Sequence, residues 1–143
     1  MEENFMDILK IPFVEKVGIE QDEKGLKLTF PSDNLNHIAT VHASVQFTLA
    51  ETASGEALQR LFPDLVGKVI PVLRDSQIKF KKPTTDTIYA IATVSDEEIE
   101  TFKTALDKKG RAMIGVDVEL RDESEVVVCI GRFTWFVQMM NGK

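Results

Sequence analysis

Residues 36–62 read NHIATVHASVQFTLAETASGEALQRLF, and the rest of the chain can be arranged around them. The stretch opens polar, with Asn36 and the two histidines of the chain, His37 and His42, and then turns apolar with a helical period. Val45, Leu49, Ala53, Ala57 and Leu61 recur at every fourth position, and Phe47, Ala50, Ser54 and Leu58 form a second row beside them. Residues four apart share a helix face, so this spacing predicts one long helix. Two adjacent rows cover more than the usual core-facing third, which predicts a helix enclosed on several sides. Glu51 is the residue out of keeping, two turns in and set among apolar or small neighbours.

Outward from the helix the signals are those of strands. On the N-terminal side, residues 3–11 have the pattern of a short amphipathic helix with Phe5, Ile8 and Leu9 on one side, ended by Pro12. VEKVGIEQ (14–21) and GLKLTF (25–30) are expected to pair as a hairpin across the Asp22–Gly25 turn. PSDNLNHIAT (31–40) is too polar and irregular for either element. Beyond the helix, KVIPVLRDSQIKF (68–80) is strand-like, with Pro71 pointing to an edge, a bulge or a bend. TIYAIATVS (87–95) suits a packed strand, which is expected to continue to about Ile99 or Phe102 before a turn at Asp107–Gly110; the charge pattern of DEEIETFKTALDKKG leaves a helix as the alternative.

The last third carries the clearest alternation. Ala112, Ile114, Val116, Val118 and Leu120 fall on one face, opposite Asp117, Glu119 and Arg121. A turn over Asp122–Glu125 leads into EVVVCIGRFTWFVQM, apolar on both faces, as a central strand or one covered by another subunit would be. The expected fold class is α+β: one long central helix wrapped by a curved, mostly antiparallel sheet of about six strands, in a single domain over residues 1–143. A sheet curled on one helix leaves its convex face and edge uncovered, which predicts self-association as a homodimer at least, or a dimer of dimers.

Composition narrows the function classes. The chain has 143 residues, 43% apolar and 28% charged, enough for one real core. Its formal charge of -6 gives no general attraction to phosphate backbones or anionic lipid, so neither nucleic acid nor membrane is expected as a partner. The single cysteine, Cys129, excludes an internal disulfide and thiolate-based metal centres within one chain, and it sits in an apolar strand pattern as a small buried hydrophobe. No signal-peptide pattern opens the sequence and no window approaches the roughly 18 apolar residues of a membrane span, so the expected location is the cytoplasm.

The residues around Glu51 resemble those of the hotdog-fold acyl-CoA thioesterases, in particular the PaaI-like branch and its uncharacterised relatives. That family carries an asparagine, a short loop, His-Gly-Gly, and an acidic residue nine positions after the histidine. Here Asn36, His42 and Glu51 match, while Ala43 and Ser44 stand where the two glycines are usual. KFKKPTTDTIYAIATV resembles the family's F-x-x-P strand junction, and GRAMIGVDVELRDESEVVVCIGRFTWFV its closing hairpin. The resemblance implies a helix wrapped in antiparallel sheet and an active site at a dimer interface with residues from both chains. It also implies a thioester carbonyl over the helix N-terminus and CoA in a groove between subunits.

The chemistry can be argued beside the resemblance. Thioester hydrolysis needs an activated water or a covalent nucleophile, and a carboxylate held beside the carbonyl can serve as either. Partial burial would raise the pKa of Glu51 and make it a better base than a surface glutamate. The plainer reading pairs it with a cation or leaves it in a wet interface. His42 could orient substrate or cap the helix; Asn36 could bind water or substrate or stabilise its own turn. Amides at Ala43 and Ser44, at the positive end of the helix dipole, could hold an oxyanion, although the methyl and hydroxyl added there narrow the space that glycines leave open. Thr48, Thr52 and Ser54, one turn from Glu51, could contact water or substrate or only their own helix carbonyls. Lys79, Lys81 and Lys82 are the one dense cationic cluster, suited to CoA phosphates or to a solvated face. Phe133, Trp135 and Met139 are expected in core or dimer packing rather than in an acyl tunnel. No metal or redox cofactor is implied; the CoA thioester enters as substrate. The alternatives are a dehydratase or hydratase of the same fold, and a non-catalytic protein that binds an acyl or aromatic ligand.

Overall fold

The structure, a computed structural model, describes residues 6–31 and 33–140. In chain order the elements are helix α1 (Pro12–Val17), strands β1 (Glu20–Asp22) and β2 (Gly25–Leu28), helix α2 (Ala43–Leu61), strands β3 (Val69–Phe80) and β4 (Ile88–Thr93), helix α3 (Asp96–Lys109), and strands β5 (Arg111–Asp122) and β6 (Val127–Met139). The strands form a six-stranded sheet in the order β1-β2-β4-β5-β6-β3, with every neighbouring pair antiparallel. The sheet curves around α2. This is the hotdog fold.

The long helix starts where the sequence turns apolar. His42 is its N-cap: its backbone is extended and its Nδ1 accepts the Ser44 N–H at 3.0 Å, satisfying one of the amides that a helix start leaves unpaired. Pro63 stops the helix after Leu61. Leu49, Ala50, Ala53, Ser54 and Ala57 are buried against the sheet. Small side chains at four of these positions let the helix axis approach the strands closely. Fully buried side chains such as Leu49, Phe133 and Ile88 contribute about 2 kcal/mol each relative to exposure.

The sheet follows the alternation of its sequence. Ala112, Ile114, Val116, Val118 and Leu120 of β5 all face the core. β6, apolar on both faces, pairs along its length with β5 on one side and β3 on the other. β3 is an edge strand, which accommodates Pro71, and its register with β6 skips Arg74, the extra residue of a bulge.

Three expectations need correction. The 96–109 segment is helix α3, not a continuation of β4, and the fold therefore has a second substantial helix. The reason is local: the Ser95 side chain accepts the Glu98 N–H at 3.1 Å, three acidic residues follow in the first turn, Lys108 and Lys109 close the last, and Gly110 ends the helix in the left-handed region. Ile99, Phe102 and Leu106 then have helical spacing, and the last two are buried. α3 also serves the sheet. β4 leaves β5 after the Thr93–Asp117 pair, and the Glu98 carboxylate takes the Gly115 N–H at 3.0 Å beyond that point while pairing with Arg132.

The other two corrections concern the N-terminal region. Pro12 opens α1 rather than ending a helix, because its fixed φ and missing N–H suit a first helical position. Residues 3–5 of the expected 3–11 helix lie outside the described residues, and Ile8–Lys10 form a single 3-10 turn. Residues 14–17 consequently belong to α1, which buries Val14 and Val17, and the first strand is shortened to Glu20–Asp22.

Candidate functional site

One side of α2 is left uncovered by the sheet, and a cavity of about 700 Å³ lies against it. Thr48, Glu51, Thr52, Gly55, Leu58, Gln59 and Phe62 line it, a spacing of three and four residues that makes a single stripe along the helix. Trp135 and Val137 of β6, Phe102 of α3, Val69–Pro71 at the start of β3, and the N-terminal segment from Met6 to Val14 supply the other walls.

Glu51 is the charged group on these walls. It is half-buried, and burial holds its carboxyl above the ordinary glutamate value of 4.5. Among the described residues no cation or hydrogen-bond donor meets the carboxylate, so nothing offsets the cost of desolvation. Thr52, one position on, has its hydroxyl buried without a partner. Thr48 Oγ1 donates to its own helix carbonyl, that of Ser44, at 2.9 Å.

An adjoining wall is built from the chain's one tryptophan. The Trp135 Nε1–H donates to Ser54 Oγ at 2.9 Å, and the Ser54 hydroxyl donates to the Glu51 carbonyl at 2.7 Å. Gly55 lets the indole come this close: a Cβ there would lie 3.3 Å from Trp135 Cζ2. A glycine inside a helix costs roughly 1 kcal/mol relative to alanine, and the ring's approach explains its presence.

The other candidate residues lie elsewhere. His42, Ala43 and Ser44 are exposed at the start of α2, about 12 Å along the helix axis from Glu51. The His42 imidazole occupies the Ser44 N–H, while among the described residues no acceptor meets the amide of Ala43. Asn36 is engaged in its own loop: its Oδ1 accepts from the Ile38 and Thr40 amides at 3.0 Å, and its Nδ2 donates to Thr40 Oγ1 at 2.7 Å. His37 is exposed in the same loop. Lys79 lies at the end of β3 with Lys81 and Lys82 just beyond, all exposed and none lining the cavity. Thus Thr48, Glu51 and Thr52 come together, with Ser54 just behind them; the helix-start residues and the lysines form separate groups.

Sequence reasoning missed Gly55 and Gln59, and it put Trp135 in plain packing. The signal for the first two was available, since both continue the 48-51-52 stripe once the helix phase is set by Glu51. Among the described residues, no group of three or more His, Cys, Asp or Glu could hold a metal ion, and no helix is long and apolar enough to cross a membrane.

Solved structures of the same fold match nearly the whole chain. A Pseudomonas aeruginosa protein described as a probable thioesterase is 23% identical, with 96% of this chain and 95% of that one covered and a TM-score of 0.77. A Haemophilus influenzae thioesterase is 20% identical, with 99% and 92% covered and a TM-score of 0.75. A hypothetical thioesterase from Streptococcus pneumoniae, solved with coenzyme A, is 21% identical, with 85% and 84% covered and a TM-score of 0.62. At these identities the likeness is one of fold. No curated protein matches the sequence. A family model matches residues 10–137, and on that match the chain belongs to the family described as Domain of unknown function (DUF4442).

Proposed function

We propose that the protein hydrolyses an acyl-CoA thioester, with Glu51 as general base or nucleophile. The observation that carries this reading is the Glu51 carboxylate, without a partner among the described residues, on the wall of a largely apolar cavity and held above its ordinary pKa by burial. The coenzyme A in the S. pneumoniae structure of the same fold supports a CoA thioester as the substrate class.

As general base, Glu51 takes a proton from water as its oxygen attacks the thioester carbon. The carbonyl oxygen becomes an oxyanion, the intermediate collapses with cleavage of the C–S bond, and the thiolate leaves and is protonated. The products are a carboxylic acid and free CoA. As nucleophile, Glu51 would attack the same carbon directly, expel the thiolate to leave an acyl-glutamyl anhydride, and be released by water. Either route draws only on the carboxylate, water and backbone amides.

The oxyanion would sit at the start of α2, where no acceptor among the described residues meets the Ala43 amide and the helix dipole favours negative charge. One helix cannot supply both groups to a single carbonyl, because about 12 Å separates them along its axis. The proposed site therefore combines Glu51 of one copy with the α2 N-terminus of another, where Asn36 and His42 shape the loop. The edge strand β3, with Ile70 and Val72 more than half exposed, supports association of two copies, as a homodimer or a pair of dimers. Lys79, Lys81 and Lys82 would meet the CoA phosphates from outside the cavity. This reading keeps the protein near the PaaI-like branch and in the cytoplasm, with no nucleic-acid or membrane partner.

A second reading, a non-catalytic protein holding an acyl or aromatic ligand, has its own support. Ala43 and Ser44 replace glycines, and the Ser44 amide is already occupied by His42. A dehydratase or hydratase is less favoured, since the His42 imidazole is already engaged in capping α2 through the Ser44 N–H. Thiol release from a panel of acyl-CoAs separates the first two: turnover supports the hydrolase, and saturable binding without turnover supports the binding protein.

A further inference from the structure

The cavity changes character along α2. Its polar groups, Thr48, Glu51 and Thr52, cluster toward the helix start, and beyond Gly55 the helix stripe continues as Leu58, Gln59 and Phe62. Gln59 brings no free polar group to this part, because both ends of its amide are engaged: Oε1 accepts the Met6 N–H at 2.9 Å and Nε2 donates to the Met6 carbonyl at 3.2 Å. The far end is aromatic, with the Phe62 and Phe102 rings 4.9 Å apart. From Glu51 to Phe62 the helix axis advances about 16 Å, the reach of an extended hydrocarbon of about a dozen carbons.

The same two hydrogen bonds hold a wall in place. The segment from Met6 to Val17 runs along the cavity as a strap, and Ile8, Ile11 and Val14 line the cavity from it. One end of the strap is fixed by burial of Val14 and Val17, and the other is tied to α2 by Gln59. A side chain that bridges the backbone of a residue 53 positions away is a tether between two parts of the cavity wall.

We infer that the apolar chamber beyond Glu51 receives an unbranched aliphatic acyl chain of about eight to twelve carbons, stopped by Phe62 and Phe102, with Gln59 positioning the strap that covers the chain. The inference rests on the proposed thioester chemistry for the acyl group's identity, but the chamber's preference for a chain can be read without that chemistry.

The test is titration of the full-length protein with straight-chain primary alcohols from butanol to tetradecanol, followed by Trp135 fluorescence. These probes are uncharged beside Glu51 and require neither hydrolysis nor CoA. The expected result is a gain in affinity of about threefold to fourfold per added methylene through decanol, levelling off by dodecanol. Gln59→Ala is expected to weaken decanol and dodecanol at least about tenfold while leaving butanol within about twofold; Gln59→Glu, which keeps the bond from the Met6 N–H, falls between. Affinity that does not depend on chain length, no binding of any alcohol, or an equal loss for all alcohols in Gln59→Ala overturns the inference. An acyl-CoA series run in parallel separates the two claims. Chain-dependent alcohol binding without thioester cleavage removes the hydrolase reading alone. Cleavage confined to short or polar acyl groups removes the chamber inference alone.

Discussion

The Trp135 indole N–H and the Ser54 hydroxyl, 81 positions apart in sequence, meet at 2.9 Å between β6 and α2. The bond fixes one cavity wall to the helix turn that carries Glu51, because the same hydroxyl donates to the Glu51 carbonyl. Ser54→Ala leaves a buried indole N–H unpaired, a loss of about 1–3 kcal/mol. Urea denaturation should show that loss, and the emission of the lone tryptophan should shift with it. Adding Trp135→Phe to Ser54→Ala is expected to cost less than the sum of the two single changes, since the two residues share one interaction.

Cys129 is fully buried in β6, and burial pushes its thiol up to about 11. A thiol that is both inaccessible and protonated at neutral pH is a poor nucleophile. Native protein at pH 8 is expected to react with a thiol reagent at least about a hundredfold more slowly than protein unfolded in guanidinium. Equal rates in the two states would contradict the burial of β6 under α2.

Burial raises the pKa of Glu51 in the fold, so the folded state holds its proton where the unfolded state has begun to lose it. Stability contributed at this position is therefore greatest below the unfolded value and falls as pH rises through the raised folded value. Glu51→Gln removes that dependence. Relative to the variant, the wild type is expected to lose stability between pH 4 and pH 7, and the variant is expected to be the more stable at pH 7. Urea melts of both proteins at the two pH values check the sign.

Much of the fold was legible because its patterns are long. The four-residue rows from Val45 to Leu61 and the alternation from Ala112 to Leu120 repeat often enough to fix period and face. α3 was misread although its signals were local and present: Ser95 three positions before Glu98, Gly110 at the far end, and Ile99, Phe102 and Leu106 in helical register. The apolar, β-branched run of β4 immediately before it competes with those signals. α1 is too short for periodicity to speak, and only Pro12 at its first position marks it. In the site, Glu51 stood out as a carboxylate among apolar neighbours. The Gln59–Met6 tether and the Ser54–Trp135 bond were beyond reach, since each joins residues that only the folded chain brings together.

The central claim is that the Glu51 carboxylate performs the chemistry, and Glu51→Gln assayed on the best acyl-CoA tests it most directly. The substitution keeps the side chain's shape and removes only its capacity to accept a proton or attack. The account predicts a fall in kcat of at least about a hundredfold, with the melting temperature at pH 7 not lowered and wild-type kcat/KM rising with pH through a value above that of an ordinary glutamate. Undiminished turnover by Glu51→Gln would contradict it.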